Sequence, residues 1–92
     1  MWKADQAQTL TRMDCMTGGS DNVTITLFEC DGNGATCSTT GLVVAATSAG
    51  ASDTSASNGD IDADDWVRVY VESIQGSATY VTCSVRYTVA MP

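Results

Sequence analysis

The sequence has no histidine, no Cys-x-x-Cys pair and only four basic residues, Lys3, Arg12, Arg68 and Arg86, dispersed over 92 positions. Each absence removes a class of function. Without histidine neither a Ser-His-Asp nor a Cys-His relay can be assembled. A structural zinc site needs four ligands in closely spaced pairs, and a redox dithiol usually sits as Cys-x-x-Cys at a helix start; neither spacing occurs here. Four scattered bases against eleven acids, a net charge of -7, cannot supply the clustered cations that gripping phosphate requires, so nucleic acid is not an expected partner. Anionic membranes are disfavoured for the same reason. The longest apolar run is Leu42 to Ala46, far short of the roughly 18 residues that span a bilayer. A soluble protein is expected. The opening "MWKADQAQTLTR" lacks the apolar core of a secretory signal, so an oxidising space would be reached as a mature fragment or by release from a lysed cell.

What is present argues for a folded domain. Apolar residues make up 43% of the chain and charged ones 16%, a balance that permits a core and argues against disorder from charge excess. Too short to divide its apolar residues between two cores, the chain is read as one domain over residues 1–92. At this size a core leaves little net stability, so covalent staples or partner subunits would help.

Strand signals recur and helical periodicity does not. Over residues 22–30, "NVTITLFEC", Val23, Ile25 and Leu27 alternate with Thr24, Thr26 and Phe28, the pattern of a half-buried strand. In "WVRVYVESI", residues 66–74, Val67, Val69 and Val71 alternate with Trp66, Arg68, Tyr70 and Glu72. After the turn "QGS" at 75–77, Thr79, Val81, Cys83, Val85, Tyr87 and Val89 share a face, and these last two strands read as a hairpin. Residues 8–16 form a weaker strand with Met13 and Cys15 on one face, and "GLVVA" at 41–45 a short apolar one. Residues 1–7 read as an N-terminal arm. Every residue from 45 to 59 except Asp53 and Asn58 is Ala, Ser, Thr or Gly; this is either a loose crossover or one that contains a narrow polar edge strand near "TSAS". The predicted fold is all-β, an antiparallel β-sandwich of five to seven strands, small and jelly-roll-like, with little or no helix.

Cys30 and Cys37 enclose "DGNGAT", whose Asp, Asn and Gly are turn residues, so a disulfide across the turn is geometrically easy. Cys15 and Cys83 fall on the inward faces of the first and last long strands, where they form either a second bridge or two separate buried thiols. Chain-entropy arithmetic gives about 2.5 kcal/mol for the short loop and about 4 kcal/mol for the long one.

Other constellations are weaker. "DIDADDW", Asp60 to Trp66, resembles the first half of a calcium loop, but the sixth and twelfth positions are Asp65 and Val71 instead of Gly and Glu, so a solvated turn is expected. The "DGNG" run at 31–34 likewise lacks later ligands. A carboxylate pair for glycoside hydrolysis could come from Asp62, Asp64, Glu29 or Glu72, but that chemistry needs a cleft that so small a sandwich seldom builds. No catalytic residue, metal or cofactor is expected. Trp66 and Tyr70, with Arg68 between them, form an aromatic stripe that suits a sugar ring, a partner surface or the second side of a buried strand.

The succession "VTITLFECDGNG", a Ser/Thr/Ala/Gly-rich middle and "IDADDWVRVYVESIQGSATYVTCSVRYTV" resembles small β-sandwich surface modules of tailed bacteriophage virions, the capsid decoration (cement) proteins and fibre head domains. These often carry "I-x-A-G-D-x-[IVL]-x-[VL]" into a strand, then a Gly turn and a closing "V-x-V-x-Y" strand. Ile61, Ala63, Asp65, Trp66, Val67 and Val69 match the entry, Gly76 the turn, and Val81, Val85 and Tyr87 the closing strand. Asp64 stands where the motif has glycine, which is expected to alter that turn. The resemblance covers roughly residues 8–90.

It implies a non-enzymatic structural protein of the virion surface, extracellular after release. The implied assembly is a homo-oligomer, commonly a trimer, held on the major capsid protein or other virion proteins. Length and the initiating methionine favour a decoration protein over a slice of fibre. Two other readings compete: a secreted carbohydrate-binding or adhesion module acting through Trp66 and Tyr70, and a subunit of an extracellular filament whose edge strand or terminal segment pairs with the next copy.

Overall fold

The computed structural model describes residues 2–19, 22–76 and 80–89. Ser77 of the expected turn and Thr79 of the expected closing strand lie outside them. The described residues form eight strands and no helix: β1 (Trp2–Lys3), β2 (Gln8–Gly18), β3 (Asn22–Cys30), β4 (Cys37–Ala46), β5 (Ala51–Asp53), β6 (Asp60–Ile61), β7 (Trp66–Gln75) and β8 (Tyr80–Val89). Two antiparallel sheets pack as a β-sandwich. The first has the order β1-β7-β3-β4; in the second, β2 pairs β8 along one edge and the short β5 and β6 along the other.

The alternation read in β3 holds, since Val23, Ile25 and Leu27 are all buried. They meet Leu42, Val44 and Ala46 of β4, Leu10, Met13 and Cys15 of β2, Ile61 and Val67 in one core. Leu10 breaks the odd-numbered series of β2 yet faces the same core. The ladder with β8 explains this, because its register shifts between Leu10 and Arg12 and leaves Thr11 as the extra residue of a bulge. A second shift sits in the β3–β4 hairpin, where the Thr40 hydroxyl donates to the Leu27 carbonyl (2.9 Å) and accepts from the Leu42 amide (3.3 Å). The buried polar groups of that irregularity satisfy one another.

Both cysteine pairs are bridged. Cys30 and Cys37 are opposed in the β3–β4 ladder with Cα atoms 4.0 Å apart, and Cys15 and Cys83 are opposed in the β2–β8 ladder at 4.1 Å. One bridge staples a hairpin; the other joins strands 68 positions apart. Two disulfides of this kind fit an extracellular or otherwise oxidising environment.

The expected hairpin of the last two strands is not formed. Among the described residues, β7 pairs β3 and β1 in the first sheet, whereas β8 pairs only β2 in the second. β7 and β8 therefore lie in different layers. Alternating valines on two consecutive strands are equally compatible with a hairpin and with strands in separate sheets, and here the Cys15–Cys83 register assigns β8 to β2. The Ser/Thr/Ala/Gly-rich segment does contain an edge strand, placed at Ala51–Asp53 just ahead of "TSAS". The residues after it form a strap held by the Asp53 carboxylate, which accepts from the amides of Val43 (2.9 Å) and Ser55 (2.8 Å). Further on, the Asn58 amide donates to Thr40 O and the Leu10 amide to Gly59 O. A side chain at Gly59 would meet the Leu10 carbonyl at 2.6 Å, so the close approach of strap and β2 requires glycine there.

Asp64 has φ = 69°, the only positive value at a non-glycine residue among those described. It thus adopts the left-handed conformation that glycine takes most readily. The turn also pins the N-terminal arm: the Asp64 amide donates to Ala4 O (2.7 Å) and the Ala4 amide to Asp65 O (2.9 Å).

Among the described residues, the two layers are joined by backbone hydrogen bonds at the β2–β4 side. Thr17 donates its amide to Thr47 O, and Met16 and Thr47 form a bridge, so β2 and the end of β4 meet. At the β7–β8 side the layers diverge. Val69, Val71 and Ile74 oppose Leu27, Ile25 and Val23 in the ladder and so face the core side. Yet they remain 39%, 43% and 64% exposed.

Two predictions follow from these linkages. Replacing Cys15 and Cys83 by serine is expected to lower unfolding free energy by about 4 kcal/mol, and replacing Cys30 and Cys37 by about 2.5 kcal/mol, in denaturant titrations of the non-reduced proteins. Asp64→Gly is expected to raise stability by roughly 0.5–1 kcal/mol, because relief of the left-handed conformation exceeds the added chain entropy.

Candidate functional site

The outer face of the first sheet carries the residues singled out from sequence. Opposed partners share a face, so the register defines its rows: Cys37, Cys30 and Trp66; then Thr39, Phe28 and Arg68; then Val43, Thr26 and Tyr70. Trp66, Arg68 and Tyr70 thus line up along β7, as the alternation required. Tyr70 stands edge-on to Phe28, with ring centroids 5.8 Å apart. Tyr70 and Val43 are 45% and 44% exposed, while Thr26 between them is buried and its hydroxyl lacks a hydrogen-bond partner.

Trp66 is more constrained than a free stacking platform. Its indole N–H donates to the Gly32 carbonyl at 3.1 Å, tying β7 to the "DGNG" turn. The Lys3 ammonium lies 5.7 Å from the ring centroid and occupies one face by a cation–π contact. Two shallow depressions mark the surface. One, of about 140 Å³, is lined by Phe28, Cys37, Arg68 and Tyr70; the other, of about 200 Å³, by Cys30, Asn33, Gly34, Trp66 and Arg68. Both fall below the roughly 300–1,000 Å³ of small-molecule pockets. A larger depression of about 390 Å³ lies over the second sheet beside Asp14, Ser52 and the Cys15–Cys83 bridge. Its carboxylate is engaged: the Ser52 hydroxyl and the Arg12 guanidinium donate to Asp14 and hold its pKa below the usual value.

The fold also assembles a group that spacing alone did not reveal. Carboxylate oxygens of Glu29, Asp62 and Asp65 lie within 4.8 Å of one another. Glu29 ends β3, and the loop before β7 brings the two aspartates to it; only the pairing of Glu29 with Val67 shows that these segments meet. Of the four acids weighed from sequence, Glu29 and Asp62 are brought together. Asp64 serves the turn, and Glu72 lies six residues along β7 from Trp66, toward its far end. The Asp62 amide donates to Glu29 Oε2 at 3.1 Å, and the Asp65 amide to Asp62 O at 3.2 Å. Asp60 and Ile61 form β6 with Ile61 in the core, and the expected solvated turn is confined to residues 62–65, with one edge against Glu29. Desolvation raises the Glu29 pKa above its ordinary value, the Asp65 and Asp62 carboxylates push it further, and the Asp62 amide opposes them. Three carboxylates carry six oxygens, so they reach the six to eight that calcium takes only by binding through both oxygens of each group or with carbonyls or waters completing the shell.

Comparison with known proteins gives no match, whether with family models, curated proteins or solved structures.

The sign of the Glu29 effect is testable. A raised native pKa means that ionised Glu29 opposes folding at neutral pH, and that this penalty is relieved as pH falls through the raised value toward 4.5. Glu29→Gln keeps a carbonyl for the Asp62 amide. It is expected to stabilise the fold at pH 7 by less than about 1 kcal/mol, since solvent screens the cluster. The gain should vanish at pH 4 in parallel denaturation curves.

Proposed function

We propose that this protein is a non-enzymatic structural subunit displayed on the surface of a phage particle, acting as a capsid decoration protein, and that the outer face of the first sheet is its contact surface. One observation carries the contact surface: the Val43–Thr26–Tyr70 row and the adjoining Phe28, Arg68 and Trp66 form a shallow, largely apolar strip facing solvent. A strip of this kind suits a broad, flat partner, because apolar area is available without a cavity to enclose a small ligand. The disulfides suit an oxidising exterior, and the net charge of -7 keeps a densely arrayed subunit soluble. The virion itself rests on the resemblance of the "IDADDWVRV" entry and closing strand to phage surface modules.

The non-enzymatic part draws support from the chemistry of the acids. Asp14 and Asp53 are held below their ordinary pKa by hydrogen bonds that secure the fold, and no histidine is present to pair with them. The carbohydrate reading loses ground because Lys3 covers one face of Trp66 and the Gly32 carbonyl takes its N–H.

Co-sedimentation of the purified, non-reduced protein with phage particles from the same source as the sequence tests the proposal. Saturable binding is expected, weakened at least about tenfold by Val43→Lys, which places a charge in the apolar strip and costs the roughly 1.4 kcal/mol that a tenfold change represents. No binding to particles, or glycan binding lost on Trp66→Ala, would overturn it.

A further inference from the structure

We propose that the Cys30–Cys37 bridge is a site of thiol–disulfide exchange, at which an external thiolate attacks the Cys37 sulfur and Cys30 leaves as a thiolate beside Arg68, while Cys15–Cys83 stays closed. The inference is independent of the virion reading, since it concerns the chemistry of the purified protein alone.

The accessible sulfur belongs to Cys37. Residues 31–39 are all exposed, and Cys37 opens β4, the last strand in the β1-β7-β3-β4 order. Displacement at sulfur proceeds in line with the bond that breaks, so a thiolate reaching Cys37 approaches from the side away from Cys30. That side is the outer edge of β4, where no strand lies beside Cys37 among the described residues. Cys30 is only 2% exposed. Its sulfur is shielded from attack, which makes it the leaving group.

The strand register supplies the activating charge that cysteine spacing does not. Cys37, Cys30, Trp66 and Lys3 stand in one row across four strands. Arg68 lies two positions along β7 from Trp66 and lines both neighbouring depressions, one with Cys37 and the other with Cys30. The Lys3 ammonium is held at the end of the same row, 5.7 Å from the Trp66 ring centroid. Two of the four basic residues of the chain thus flank one bridge. Arg68 has no ion-pair partner among the described residues, and a cation beside a departing thiolate stabilises it and speeds its release. Glu29 and Asp31 adjoin Cys30 in sequence and act against this. Glu29, however, alternates to the opposite face of β3 and accepts from the Asp62 amide.

The second bridge is placed differently. Cys15 is 3% exposed within the core cluster, and Cys83 is half-buried against it. A depression does border this bridge, but the charge lining it is the Asp14 carboxylate, with Arg12 already paired to it. A thiolate released into apolar surroundings is disfavoured by desolvation. Opening of Cys30–Cys37, by contrast, is reversible in place. The turn keeps its own bonds, from the Asp31 amide to Thr36 O (2.9 Å) and from the Gly34 amide to Asp31 O (2.7 Å), and the Trp66 indole still holds Gly32. The two sulfurs stay opposed. In the first step the external thiolate forms a mixed disulfide with Cys37, and the electron pair of the broken bond leaves on Cys30. A second external thiolate then attacks the outer sulfur of that mixed disulfide and releases the Cys37 thiolate, so two external thiols are oxidised to one disulfide as the bridge is reduced.

Reduced glutathione, an anionic thiol, is the probe. The non-reduced protein is incubated with it at about pH 8 and low salt without oxygen, where enough thiolate is present to react. Samples are quenched with acid and alkylated, and the modified cysteines are located by peptide mass spectrometry. Glutathione is expected first on Cys37, and Cys30–Cys37 should open at least about tenfold faster than Cys15–Cys83. Opening through global unfolding would expose both bridges together. Arg68→Gln should slow the opening of Cys30–Cys37 at least about threefold, and Arg68→Lys should restore it to within about twofold. Arg86→Gln should leave it unchanged. Salt at about 0.5 M should remove most of the difference between Arg68→Gln and the parent. The proposal is overturned if the two bridges open at one rate, if Cys15–Cys83 opens first, or if glutathione appears first on Cys30. It is equally overturned if Arg68→Gln matches the parent at low salt, or if neither bridge opens before the protein unfolds.

Discussion

The pairing of β2 holds the second sheet together, because every ladder in that layer runs through it. Among the described residues β5 and β6 pair no strand but β2, and β8 pairs every residue of β2 except Thr11 from its other side. At the middle of β2, Cys15 lies between Ala51 of β5 and Cys83 of β8, so the covalent bridge stands where three strands meet. The bridge restricts the unfolded chain over most of its length, which matters for a domain whose core, among the described residues, contains aliphatic and sulfur side chains and no fully buried aromatic ring. The bulge at Thr11 belongs to the same constraint. Without it, Leu10 and Met13 would point to opposite faces, and one end of β2 would lose its hold on the core.

Closure on one side and divergence on the other follow from how the chain connects its layers. The strap after β5 keeps the layers joined near β4 through the Asp53 carboxylate and the backbone bonds of Asn58 and Gly59. Nothing comparable joins β7 to β8 among the described residues, since those strands part after Gly76 into different sheets. Core-facing Val69, Val71 and Ile74 are left half-covered at the divergent side. The outer face of the first sheet is better consolidated, by the Cys30–Cys37 bridge, the Trp66–Gly32 hydrogen bond and the Phe28–Tyr70 contact.

Features carried by strict alternation or by a local turn were legible in the sequence. β3, the inward face of β8, the turn between Cys30 and Cys37 and the alignment of Trp66, Arg68 and Tyr70 all depend on a period of two or on Gly, Asn and Asp chemistry. Features that depend on which strand lies beside which were not. The last two strands looked like a hairpin because a period-two pattern fixes a strand's faces and says nothing of its neighbour. The meeting of Glu29 with Asp62 and Asp65 was hidden for the same reason, being a product of the β3–β7 register. Bulges were the third blind spot: those at Thr11 and Glu72 need a partner strand to be defined at all. Asp64 is a different case. The sequence marks the position, and the left-handed backbone shows that aspartate tolerates there what glycine adopts freely.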